Sequence, residues 1–190
     1  MQPIPTVSVN CVDGARDTYV GLNPNINTDE KIQAFVDCFI TDAQYASSNC
    51  SGLPIRLILA QWGGESGWGT GKTQKDNQNW SNMLYTNINN PSGNSGRGTG
   101  SQGWARFSGR QKHAHGYAYF FHKEYNPRYS DLMEYLETCE TKLIAPDEYV
   151  CARYIADAGY GGEPDQYYQD LVDYMETLNA HTGDFYQELF

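Results

Sequence analysis

The sequence predicts an α-dominated α+β domain, a set of amphipathic helices interrupted once by a small β-hairpin. Three observations lead there. Apolar residues recur at helical spacing in several separate stretches. Proline or a small hydroxylated residue heads most of these stretches, as at helix starts. Between the second stretch and the third, from Gly67 to Gly103, the chain turns to Gly, Asn and Ser and the helical period vanishes. At 190 residues the chain suits a single domain with a real core. Residues 1–27, with scattered Pro, Asn and Gly, read as an irregular N-terminal segment, and residues 28–190 as the one domain.

Taken in order, Thr28 is placed to cap the first helix, with Asp29 and Glu30 at the positive end of its dipole. Ile32, Phe35, Val36, Phe39 and Ile40 form its apolar stripe. Pro54 suits the first turn of a second helix, with Ile55, Ile58, Leu59 and Trp62 on one face. The next position on that face is Glu65, a carboxyl group where the pattern asks for an apolar side chain. "NMLYTNI" and "WARF" read as two short strands flanking a glycine-rich tip at residues 92–103. Ser108 then caps a helix running to about Lys123. Pro127 opens another with Leu132, Tyr135 and Leu136, and Pro146 a third with Val150, Tyr154 and Ile155. After Gly159-Tyr160-Gly161-Gly162, Pro164 starts the last helix, with Tyr168, Leu171, Val172 and Met175 inward. No internal repeat occurs.

A formal net charge of −10 argues against nucleic acid, whose phosphates call for a basic stripe, and against attachment to anionic membranes. No apolar run is long enough to span a bilayer. The N-terminus, Met1-Gln2-Pro3-Ile4-Pro5, lacks the basic and apolar regions of a secretory signal. There are five cysteines. Cys139 and Cys151 lie on either side of one short connection, and Cys38 and Cys50 are spaced to pair likewise, leaving Cys11 odd. Two bridges and five reduced thiols are equally open readings.

Residues 63–73, "GGESGWGTGKT", end like a phosphate-binding P-loop. That loop needs a glycine five residues before Gly71, and the position holds Ser66. A P-loop also follows a strand, whereas an apolar-periodic helix precedes these glycines. Gly98-Thr99-Gly100-Ser101-Gln102-Gly103 fits a dinucleotide fingerprint as a string, but no helix opens within it. Both nucleotide readings fail, and no cofactor or metal is called for.

Glu65 fits a different chemistry. Burial disfavours an ionised carboxylate, and the C-terminal end of a helix adds the negative end of its dipole. Both keep the group protonated, as a general acid requires. Glycosidic cleavage needs such an acid, because the leaving oxygen gains a proton as the oxocarbenium-like state forms. Aromatics make up 14% of the chain, which suits a carbohydrate groove. Trp62, Trp68, Trp80 and Trp104 all fall on or beside the glycine-rich region, and aromatic faces stack on sugar C–H faces. Asparagines such as Asn79 and Asn82 can read hydroxyl and acetamido groups. Gln61, Trp68, Trp80, Asn82, Trp104 and Tyr117 are the substrate-binding candidates.

"LILAQWGGESGWGT" resembles the helix and turn of the bacterial glucosaminidase domain, glycoside hydrolase family 73, in which a lysozyme-like catalytic glutamate precedes Ser-Gly-Trp-Gly. "WARFSG" resembles that family's exit from a hairpin into a helix, and "NPRYSDLMEYL" its Asn-Pro-Arg-Tyr segment. "AGYGGEPDQYYQDLVDYM" resembles the segment where the family carries Tyr-Ala-Thr-Asp before its closing helix. The four matches run in order over about residues 53–178. The resemblance implies a lysozyme-like helical domain with a β-hairpin lobe flanking the cleft, Glu65 as acid/base, and Tyr160 near the cleaved bond. It further implies cleavage of the β-1,4 bond after N-acetylglucosamine in peptidoglycan.

Many members of that family carry a second carboxylate on the hairpin, yet residues 85–107 contain no Asp or Glu. Asp76 is the nearest acidic candidate, and Glu163 replaces the usual aspartate after the tyrosine. Attack by the substrate's own 2-acetamido oxygen, oriented by Tyr160, and water attack with a remote base both stay open. So do a muramidase or lytic transglycosylase of the same fold, and a module that grips glycan without cutting it. The small acidic chain also resembles glycosidase effectors delivered through type VI secretion into the periplasm of a target bacterium. That likeness implies a periplasmic immunity protein that occludes the cleft. A phage endolysin or a secreted autolysin fits the catalytic region equally.

Overall fold

The structure is a computed structural model that describes residues 28–85 and 96–182. Seven α-helices run through the described residues: α1 (Thr28–Ser48), α2 (Ile55–Ser66), α3 (Lys72–Asn77), α4 (Arg110–Phe120), α5 (Ser130–Lys142), α6 (Glu148–Asp157) and α7 (Pro164–Thr182). The irregular segment expected over residues 1–27 lies outside the described residues, as do residues 86–95 and 183–190.

The helix α2 is the axis of the domain. It packs against α1 on one side and α7 on another, while α4 closes on α1 and α6 on α7. Leu57, Ile58, Leu59, Ala60, Gln61 and Trp62 are all fully buried, so α2 is enclosed all round rather than along the single face its sequence suggests. Phe35 and Phe39 of α1, Tyr117 of α4, and Leu171, Met175 and Leu178 of α7 complete the core around it. Polar ties at the rim fix the same geometry. Arg56 at the start of α2 reaches Glu148 of α6 through Nε at 2.7 Å and Asn179 of α7 through Nη1 at 2.8 Å. Arg110 at the start of α4 donates to the Cys38 carbonyl at 2.8 Å and pairs with Asp42, both on α1.

Helix ends follow the sequence signals with shifts of a residue or two. Pro54 stands immediately before α2 and Pro164 is the first residue of α7. Pro127 opens a single 3₁₀ turn that leads into α5. At α6 it is Asp147, not Pro146, that does the capping, its carboxylate accepting from the N–H groups of Tyr149 and Val150. The fourth helix begins at Arg110 without a side-chain cap, so Ser108 does not play that part. Val150, expected inside, is 37% exposed.

Three expectations are corrected. The stretch after Gly67 holds a helix, the six-residue α3, whose sequence KTQKDN offers no apolar stripe from which to read it. No strand forms in the described part of the hairpin: pairing is limited to two isolated antiparallel bridges, Leu84 with Trp104 and Arg97 with Ala105. Residues 92–95 of the expected tip, with the end of the first expected strand, lie outside the described residues. Finally, neither of the two bridges that the spacing left open forms, because Cys50, Cys139 and Cys151 are free, buried thiols. Burial pushes the Cys50 thiol up to about 12, so it sits in the core as a small apolar group. Cys11 lies outside the described residues. No helix among the described residues is long and apolar enough to cross a membrane.

Candidate active site

The helix α2 ends because Gly67 turns left-handed, φ 59°, and its N–H closes on the carbonyls of Gly63 and Gly64. That stop leaves Glu65 on the last turn, half-buried where the enclosed helix meets the surface. Two glycines just before it admit large rings. A Cβ at Gly63 would meet the Trp68 ring at 2.3 Å, and one at Gly64 the Tyr174 ring of α7 at 2.2 Å. The turn of helix that carries Glu65 is therefore packed by aromatics that only glycine lets this close.

Both carboxylate oxygens of Glu65 accept hydrogen bonds. Tyr167 of α7 donates to Oε1 at 2.8 Å, and Asn82 Nδ2 donates to Oε2 at 2.7 Å and to the Glu65 carbonyl at 2.9 Å. Each donor is held from behind. Tyr117 donates to Oε1 of Gln61, which leaves the Gln61 amide nitrogen to donate to the Tyr167 oxygen at 2.8 Å. The Tyr167 proton is thereby directed at Glu65. Asn82 Oδ1 accepts from Gln74 of α3 at 2.6 Å, which fixes its amide the other way round. Asn82 takes φ 54°, a left-handed backbone that asparagine tolerates better than most residues.

Burial pushes the Glu65 carboxyl above its ordinary value, the donors Asn82 and Tyr167 pull it back, and the negative charge of Asp170 pushes it up again. The balance lies on the raised side, as a proton donor near neutral pH requires. Tyr167 itself is held protonated, chiefly by burial and then by the neighbouring Glu65 charge.

Tyr160 comes to the same place without touching Glu65. Its ring stacks on Tyr167, centroids 5.8 Å apart and nearly parallel, and its hydroxyl donates to the Ser81 carbonyl at 2.7 Å. Ser81 in turn bonds the buried His113 through its hydroxyl at 2.9 Å. Tyr160 and His113 thus pin the loop that presents Asn82. Asp76 is elsewhere in character: it sits on the exposed side of α3, paired with Lys72 at 2.5 Å.

The remaining candidates divide by burial. Asn82 touches the Glu65 carboxylate. Gln61 and Tyr117 are fully buried and act behind Tyr167, and Trp80 is core, edge-on to Phe39. Trp68 turns inward against Gly63 and lies edge-on to Phe35 at 5.7 Å. Trp104 is partly buried, set against Gly100 and bridged to Leu84. Asn79 spends its side chain on the backbone of Met83 and Ala105. Sequence reasoning missed Tyr167, Gln74 and Asp170. Tyr167, Asp170 and Tyr174 recur at i, i+3 and i+7 on α7, which was the available signal.

Residues 40–180 match the family model described as mannosyl-glycoprotein endo-beta-N-acetylglucosaminidase, the glucosaminidase domain. No curated protein and no solved structure matches the chain. With that domain covering most of its 190 residues, the chain belongs to the glucosaminidase family of glycoside hydrolases.

Proposed function

We propose that this glucosaminidase-family member cleaves the β-1,4 bond after N-acetylglucosamine in peptidoglycan, with Glu65 as the general acid. One observation carries the reading. A half-buried carboxyl at the end of α2 is raised by burial and by Asp170, yet two fixed donors, Tyr167 and Asn82, wait on its oxygens. That arrangement holds the proton until it is needed. As Glu65 gives it to the glycosidic oxygen, the donors stabilise the carboxylate left behind, and charged acceptors strengthen such bonds. Tyr160 and Asp76 stay in the proposal as flanking groups, Tyr160 supporting the Asn82 loop.

The substrate sets the compartment: peptidoglycan lies outside the cytoplasm, so the enzyme acts in the periplasm or wall of a bacterium. An antibacterial effector of this kind would be blocked in its producer by an immunity protein seated over Glu65. Expression with an added periplasmic signal is expected to lyse the host, whereas cytoplasmic expression does not. Equal toxicity from both would count against a peptidoglycan target.

Digestion of purified peptidoglycan, followed by borohydride reduction and mass spectrometry, tests the bond. New reducing ends on N-acetylglucosamine are expected. Reducing N-acetylmuramic acid would assign a muramidase, and 1,6-anhydro ends a lytic transglycosylase. Binding with no soluble fragments would leave a glycan-gripping module.

A further inference from the structure

The hydrolysis of a glycoside needs a second group to deliver the nucleophile to the anomeric carbon. The hairpin has no carboxylate to offer, since residues 85–107 contain neither Asp nor Glu. Asp76 is engaged with Lys72 on an exposed face. The closing helix supplies an alternative. Tyr167, Asp170 and Tyr174 lie along one face of α7 at helical spacing. The first donates to Glu65, and the third lays its ring against Gly64, the residue before it. Asp170 stands between these two contacts and so beside the acid.

Asp170 is half-buried, with Oδ1 accepting from Gln166 Nε2 at 2.8 Å. Its charge acts on both Glu65 and Tyr174. The two oxygens of Glu65 accept from Tyr167 and Asn82, and the charge of Asp170 acts on the same carboxyl. An inverting glycosidase sets two carboxyl groups about the scissile bond, one to protonate the leaving oxygen and one to activate a water.

We propose that Asp170 is the general base of an inverting hydrolysis, the second carboxylate of this site. The inference rests on the glycosidase reading above and extends it. Asp170 takes a proton from water as the water oxygen bonds to the anomeric carbon. The glycosidic C–O bond breaks, and its electron pair stays on the leaving oxygen, which receives the proton of Glu65. Asp170 ends protonated and Glu65 ionised, and exchange of one proton with solvent restores both. The β-linked sugar is released as its α-anomer.

Two measurements on purified peptidoglycan fragments decide it. Proton NMR within minutes of cleavage by the wild-type enzyme is expected to show the α-anomer first; β-anomer first would overturn the proposal. Asp170→Asn is expected to lose ~10²–10⁴-fold in kcat while its melting temperature and sacculus binding hold. Added azide should restore turnover in that variant and yield an α-glycosyl azide. Activity within about threefold of wild type would overturn the assignment even if the pH profile moved, because a group that only tunes Glu65 moves the profile and spares the rate. Should Asp170→Asn fail to fold, the wild-type anomer still decides. A folded wild-type protein that released no fragments would overturn the glycosidase reading itself.

Discussion

If Glu65 is the proposed acid, Tyr167 is what separates it from a merely buried carboxyl. Its hydroxyl lowers the Glu65 carboxyl that burial raises, so Tyr167→Phe raises that carboxyl further. An acid works only while protonated, and the basic limb of the pH–rate profile should therefore move to higher pH. Losing a hydrogen bond to a charged group costs about 1.5–3 kcal/mol, so kcat should also fall roughly 10–100-fold. A profile that stayed put, or moved to lower pH, would contradict the placement of that proton. The flanking groups rank differently. Tyr160 holds the Ser81 carbonyl beside Asn82, whereas Asp76 makes an exposed ion pair. Single-turnover rates should fall about tenfold for Tyr160→Phe, one lost buried hydrogen bond. Asp76→Asn should change them by less than about threefold, since exposed pairs contribute little. The reverse order would restore Asp76 to the chemistry.

At the scale of elements, the site depends on how closely α7 approaches the end of α2. Gly64 sets that approach, because any Cβ there would collide with the Tyr174 ring. Gly64→Ala should destabilise the fold by about 1–3 kcal/mol, the usual cost of overpacking. It should also slow cleavage, since the same shift carries Tyr167 away from Glu65. Thermal melting and initial rates on one sample test both, and an unchanged melting temperature would show that Tyr174 yields freely. The long helices were legible because proline starts and apolar stripes are local signals. α3 was not, as its six polar residues are tied to segments outside the helix by bonds such as Gln74 to Asn82 and Asn77 to the Thr99 carbonyl. The tryptophans misled for a related reason. Their nearness to glycines suggested open sugar platforms, but those glycines are what allow rings such as Trp68 to turn inward.

Across the whole molecule, a neutral core is what raises Glu65, and the same core shapes stability against pH. His113 is fully buried between Trp62 and Phe107, and burial holds its imidazole down at about 3 against an ordinary 6.5. The unfolded chain takes up that proton while the folded one does not. Stability should thus be level above about pH 6.5 and decline below it, at up to ~1.4 kcal/mol per pH unit until pH 3 is approached. His113→Asn should flatten the decline between about pH 6.5 and 5, even if less stable at neutral pH, and an unchanged slope would remove His113 as its cause. The position of Glu65 was readable from a broken apolar stripe and the segments around it. Its tuning was not, because Tyr167 and Asp170 come from a distant helix whose expected inward residues were Tyr168, Leu171, Val172 and Met175. The cysteine spacings fitted two bridges, yet spacing alone does not say which thiols face one another, and Cys50, Cys139 and Cys151 are free. Glu65→Gln on purified sacculi is the sharpest check that the Glu65 proton cleaves the glycan. Sacculus binding should be retained with cleavage reduced ~10²–10⁴-fold or more, and wild-type lysis by that variant would remove Glu65 as the acid.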